Sequence, residues 1–140
     1  MSRIVLRILV SNLSELKFVV MNCLESRNLV DRILVVEHNF THTGKPKPYF
    51  INSQEQQEIR LLSRNSFVDI IHVDLSAQII RDADNSQDVH KNEHVMRVSF
   101  LDVSESDPDD LVISVDADEI IYRRVYRILY LLNKNHDLKG

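Results

Sequence analysis

Asp109-Asp110-Leu111-Val112-Ile113-Ser114-Val115-Asp116-Ala117-Asp118-Glu119-Ile120 is an apolar, β-branched run that stops in three carboxylates within four residues. Its length and residue types are those of a short buried strand. Ligands of open α/β sheets sit just beyond the carboxyl ends of their strands. Asp116 and Asp118, one residue apart at such an end, can hold a hard divalent cation and through it a diphosphate. The same acids have a plainer use: either one, ahead of Glu119-Ile120, can cap the next helix and favour its dipole.

Outward from this stretch, apolar periodicity alternates between strand and helix. Ile4–Val10 reads as a β-branched strand. Asn12 or Ser14 can cap a helix over 15–26, whose Leu16, Val19, Val20, Cys23 and Leu24 make one apolar stripe. Residues 32–37 form a second strand, and its unbroken Ile33-Leu34-Val35-Val36 run predicts burial on both faces. Gly44, Pro46 and Pro48 forbid regular structure in the loop 39–52. Ser53 then caps a polar helix to about residue 64, and 67–73 is the third strand. A polar connection, 77–88, leads to a helix over 90–103, the strand over 111–115 and a closing amphipathic helix over 119–134.

Strands separated by helices pair in parallel through right-handed crossovers. The expected fold is α/β: a Rossmann-like, mostly parallel sheet in the order 3-2-1-4 with helices on both faces, in a single domain over 1–140. Its crevice opens where the chain reverses direction, between the first and fourth strands. Ser11, Asn12, Glu37 and the pair Asp116 and Asp118 then share one rim.

Composition narrows the ligand. The chain has 140 residues, a net charge of −4 and no basic tract beyond Arg123-Arg124, which speaks against a grip on nucleic acid. Its glycines are only Gly44 and Gly140, so neither G-x-G-x-x-G nor a P-loop can form. Without that cradle, a cation on Asp116 and Asp118 is left to neutralise phosphate, with Lys45 and Lys47 adding charge from the loop. Glu37 can accept from a ribose hydroxyl or a base N–H, or it is a solvated strand end. The one cysteine, Cys23, excludes an internal disulfide, and its apolar helix face predicts core packing. No apolar run is long enough for a transmembrane span, and a cytoplasmic location is the expectation. Asn12-Leu13-Ser14 and Asn39-Phe40-Thr41 match the glycosylation acceptor pattern but lack a secretory context.

His90-Lys91-Asn92-Glu93-His94 matches the H-x-x-E-H pattern of inverted zinc proteases, although a solvated polar helix face explains it more simply. His38 and His42 flank Asn39-Phe40-Thr41 and are expected to hold the loop, with sugar contact as the second use. Tyr122, Tyr126 and Tyr130 recur every four residues, a spacing that predicts partly buried packing.

Val35-Val36-Glu37-His38-Asn39-Phe40-Thr41-His42-Thr43-Gly44-Lys45-Pro46-Lys47-Pro48 resembles the signature loop of family-17 glycosyltransferases. These are the enzymes similar to β-1,4-mannosyl-glycoprotein 4-β-N-acetylglucosaminyltransferase. The stretch 109–120 resembles that family's metal motif, and Asn92-Glu93 with Arg97 resembles the helix before it. The likeness runs from about Asn12 to Ile121, where Ile121 stands in place of the family's Pro.

The resemblance implies a GT-A fold, a UDP-linked sugar donor and Mn²⁺ or Mg²⁺ held mainly by Asp118. It also implies Asp116 near the ribose or a metal-bound water, Glu37 as base or ribose contact, and Arg97 as a structural or diphosphate partner. It implies transfer of a sugar such as N-acetylglucosamine to a glycan or other hydroxyl acceptor. The acceptor half and its catalytic base are expected to lie outside this chain, with Glu119 as a weak stand-in. A homo-oligomer or partner chain would cover the exposed side. The alternative is a truncated, non-catalytic module that binds a nucleotide sugar or a partner.

Overall fold

The computed structural model describes residues 3–101 and 109–139. Strands β1 (Ile4–Val10), β2 (Arg32–His38), β3 (Val68–Val73) and β4 (Leu111–Asp116) form one sheet in the order β3-β2-β1-β4. Every pairing is parallel, as the alternating pattern requires. Register aligns Leu9 with Asp116 and Val10 with Glu37, so β1, β2 and β4 end together on one rim.

Successive residues of a strand point to opposite faces, and this alternation assigns the core. Leu6, Ile8, Val10, Ile33, Val35 and Val115 pack with Val19 and Cys23 of α1 (Leu16–Ser26), Ile59 of α2 (Ser53–Ser63) and Tyr126 of α4 (Arg123–Lys139). On the opposite face Val5, Leu34 and Val36 pack against Phe100 of α3 (Ser86–Leu101). The crossover from β3 to β4 runs back past β2 and β1, so a right-handed connection puts α3 alone on that second face.

Helix ends depart from the sequence expectation wherever a polar side chain supplies the cap. A 3-10 turn, Leu13–Glu15, precedes α1, and Glu15 reaches back to the N–H groups of Ser11 and Asn12. Asn52, one residue before the expected Ser53, caps α2 and shares a capping box with Glu55. Asn85 accepts from the Asp88 N–H and starts α3 inside the segment expected to be irregular. The expected end of that helix, residue 103, lies outside the described residues. The last helix begins at Arg123 rather than at Glu119, because Glu119 is used in a turn and the Glu25 carboxylate of α1 caps the Arg123 N–H. An acid at that end also complements the helix dipole.

Tyr126 and Cys23 are fully buried, and burial pushes the Cys23 thiol up to about 12, which leaves it an inert packing group. Tyr122, by contrast, is exposed, so the tyrosine spacing does not describe one buried stripe.

Candidate functional site

Beyond the ends of β1 and β2, on the α3 face, lies a cleft of about 500 Å³. Leu9, Phe40 and Met96 give it apolar walls, and His38, Lys47 and Arg97 give it polar ones. A concave, mostly apolar site with a few convergent polar groups is the usual form of a small-molecule site.

The cleft lies over β1 and β2 rather than between the first and fourth strands as expected. No β4 residue lines it, and the Asp116-Ala117-Asp118 turn after β4 meets it only through Arg97. Ala117 is fully buried; its N–H donates to the Leu9 carbonyl at 2.9 Å, and its carbonyl accepts from Asn22 Nδ2 at 3.2 Å. Fixing the middle residue from both sides sets the two flanking aspartates. Asp116 faces α3, where Arg97 Nη1 lies 3.6 Å from its Oδ1, and Asp118 is exposed. The turn closes reciprocally: the Glu119 N–H donates to the Asp116 carbonyl at 2.9 Å, and the Asp116 N–H donates to Glu119 Oε1 at 2.8 Å. Glu119 therefore shapes the turn that presents the two aspartates.

The loop after β2 is held differently. Phe40 and Pro46 make an isolated antiparallel bridge, and the Lys47 N–H donates to the Asn39 carbonyl at 2.9 Å. Asn39 Oδ1 accepts from the Leu75 N–H while its Nδ2 donates to Asp74, so this side chain is committed to the fold. Gly44, at φ +79°, packs its backbone against Ile80; a Cβ there would sit 1.9 Å from the Ile80 carbonyl oxygen. Asn92 of α3, fully buried, joins the two segments: its Nδ2 donates to the carbonyls of His42 and Ile80, and its Oδ1 accepts from the Ile80 N–H.

Glu37 does not reach the cleft. Like Ile33 and Val35 it points to the α1–α2 face, where it is fully buried. Oε2 accepts from the Phe50 N–H at 2.9 Å and Oε1 from the Ile51 N–H at 3.2 Å, with His72 Nε2 at 3.4 Å from Oε1. The ribose or base contact expected of Glu37 gives way to a structural task, fixing the chain that enters α2. His38, one residue on, shares the face of Leu34 and Val36 and lines the cleft in its place.

A similar shift applies to the loop lysines. Lys45 is exposed and does not line the cleft, whereas Lys47 does, with Nζ donating to the Ser11 carbonyl at 2.5 Å. Burial lowers the Lys47 pKa, with Glu37 and Glu15 opposing that shift. Ser11 lines the cleft, while Asn12 serves the 3-10 turn. His42, expected to hold the loop with sugar contact as its second use, lines the cleft, and its Nδ1 is 3.1 Å from Glu93; His90 meets the other oxygen of that carboxylate. These histidine contacts hold Glu93 below the ordinary carboxylate range. Among the described residues no three His, Cys, Asp or Glu side chains are grouped to hold a metal by themselves, so His90 and His94 gain no third ligand there.

A parallel α/β sheet, with a cleft at the carboxyl ends of its central strands β1 and β2 and paired acids at the end of edge strand β4, defines the class: a Rossmann-like protein with its cleft on that rim. The sequence model of glycosyltransferase family 17 matches residues 1–137, and the chain belongs to that family. No curated protein and no solved structure matches it significantly. Membership points to sugar transfer and, with it, to a nucleotide-sugar donor and an acceptor. No described helix is long and apolar enough to cross a membrane.

Proposed function

We propose that this chain is the GT-A donor-binding part of a metal-dependent glycosyltransferase, taking a UDP-linked sugar and passing it to a glycan or other hydroxyl acceptor. One observation carries the reading. Ala117 is buried and tied on both sides, and that anchoring holds Asp116 and Asp118 at the open end of β4, with Asp116 3.6 Å from the cleft-lining Arg97.

The donor set suits Mn²⁺ or Mg²⁺. Mg²⁺ is commonly bound through one or two carboxylates, with substrate phosphates and water completing the shell. Asp118 and Asp116 are the residues that would hold it, and the ion would supply Lewis-acid stabilisation of the departing diphosphate. Arg97 orients Asp116 and brings a guanidinium to the same edge, a group suited to phosphate oxygens. Lys47 places a second cation at the β1 end, and Leu9, Phe40 and Met96 give the cleft apolar walls.

Calorimetry of UDP-N-acetylglucosamine, with and without Mn²⁺, tests this. Binding that requires the metal and disappears in Asp118→Asn, with unfolding unchanged, is the expected result. Equal binding in the presence of a chelator, or none at all, overturns it. Metal-dependent binding without donor hydrolysis or transfer would favour a non-catalytic sugar-nucleotide module.

A further inference from the structure

We infer that His38 is a specificity-determining residue of this cleft, its Nδ1 accepting a hydrogen bond from an N–H or hydroxyl of the bound sugar nucleotide. The inference rests on the donor-site reading above. It begins from strand parity: Leu34, Val36 and His38 share the face of β2 that looks toward α3. His38 is 4% exposed, and it lines the cleft.

The tautomer follows from its neighbour. His38 Nε2 lies 3.0 Å from Ser99 Oγ, and Ser99 donates its only hydroxyl proton to the Met96 carbonyl at 3.0 Å. With that proton on Met96, Ser99 Oγ accepts from His38, an arrangement that has the ring proton on Nε2 and the lone pair on Nδ1. No described residue donates to Nδ1. Nδ1 is not among the fully buried polar atoms that lack a partner, so on this nearly buried ring it is the nitrogen open to the cleft, where a ligand can donate to it.

Electrostatics decides between accepting a hydrogen bond and taking a proton. Burial, then Lys47 and His42, lower the His38 pKa to about 4, so the ring stays neutral at neutral pH. Protonating it would bury an imidazolium beside the Lys47 ammonium. His38 thus reads a donor group and does not serve as the general base. Sites built to hydrogen-bond a substrate group reject ligands that lack it, because the buried partner is then left unpaired.

The test is ¹⁵N-detected imidazole NMR on the full chain, using diamagnetic Mg²⁺, with calorimetry in parallel. In the free protein His38 should show a protonated Nε2 and a bare Nδ1. Adding UDP, or UDP-N-acetylglucosamine, should move the Nδ1 resonance upfield. A shift already present with UDP assigns the donor group to the nucleoside, and one seen only with the sugar nucleotide assigns it to the sugar.

His38→Gln keeps an N–H for Ser99 and leaves no acceptor at the Nδ1 position; it should raise the Kd about tenfold, one hydrogen bond's worth. A protonated Nδ1 in the free protein overturns the inference. Calorimetric binding with an unmoved Nδ1 resonance overturns it too, and leaves the donor site standing. No binding of either nucleotide overturns both. The NMR readings on the unsubstituted protein decide the matter even if His38→Gln fails to fold.

Discussion

Residues 37–48 follow central strand β2 and residues 116–119 follow edge strand β4 onto the same rim, yet buried side chains hold the first while the second holds its acids out to solvent. Around the β2 loop, Glu37 and the α3 residue Asn92 spend their polar groups on main-chain amides and carbonyls, and Asn39 spends its own on the Leu75 amide and the Asp74 carboxylate. In the β4 turn the anchor is the backbone of Ala117, and the Asp116 and Asp118 side chains stay at the surface. A polar residue at a strand end is thus either scaffold or site, and the face on which it emerges decides which.

The comparison is easiest to break in the pinned loop. Gly44→Ala puts a methyl group 1.9 Å from the Ile80 carbonyl at a positive φ, and should destabilise the protein by at least about 3 kcal/mol in urea unfolding. Glu37→Ala leaves the Phe50 and Ile51 amides buried without acceptors and should cost about 3 kcal/mol. Near-native stability in both would mean that the loop is not pinned as described.

A second measurement separates His38 from its surroundings by pH. Its folded pKa of about 4 lies below the ordinary histidine value of 6.5, so the unfolded chain binds the proton more readily. Stability should be complete above pH 6.5 and decline as the pH falls toward 4. Asp74, held down to about 2 by Ser76 and Asn39, adds a further loss only at more acidic pH, below 3.8. The urea midpoint should fall less steeply between pH 6.5 and 4 in His38→Gln than in the parent.

The smallest effect belongs to the exposed turn. Arg97 and Asp116, 3.6 Å apart and both substantially exposed, contribute at most about 1 kcal/mol as a surface pair. Arg97→Ala should leave the unfolding midpoint almost unchanged and weaken sugar-nucleotide binding. A large loss of stability would place Arg97 with the scaffold.

Much of the fold was legible because its signals are local. The β-branched runs, the helical stripes and the polar segments between them were enough to order the sheet as 3-2-1-4. The helix starts were less legible, since Asn52, Asn85 and the distant Glu25 compete with nearby residues as caps. Asp116 and Asp118 were readable as a candidate site because both lie where the strand stops. Glu37 and His38 were not separable: Ile33-Leu34-Val35-Val36 is apolar throughout, so it carries no alternation to show which parity faces the cleft.

The sequence by itself determined a parallel α/β sheet, the strand order and the acids at the end of β4, because periodicity and residue type act over a few positions. Only the tertiary structure decided that Glu37 is scaffold while His38, Lys47 and Arg97 meet at the cleft. Those assignments depend on which face α3 covers, and one residue of strand parity carries a side chain from one side of the sheet to the other.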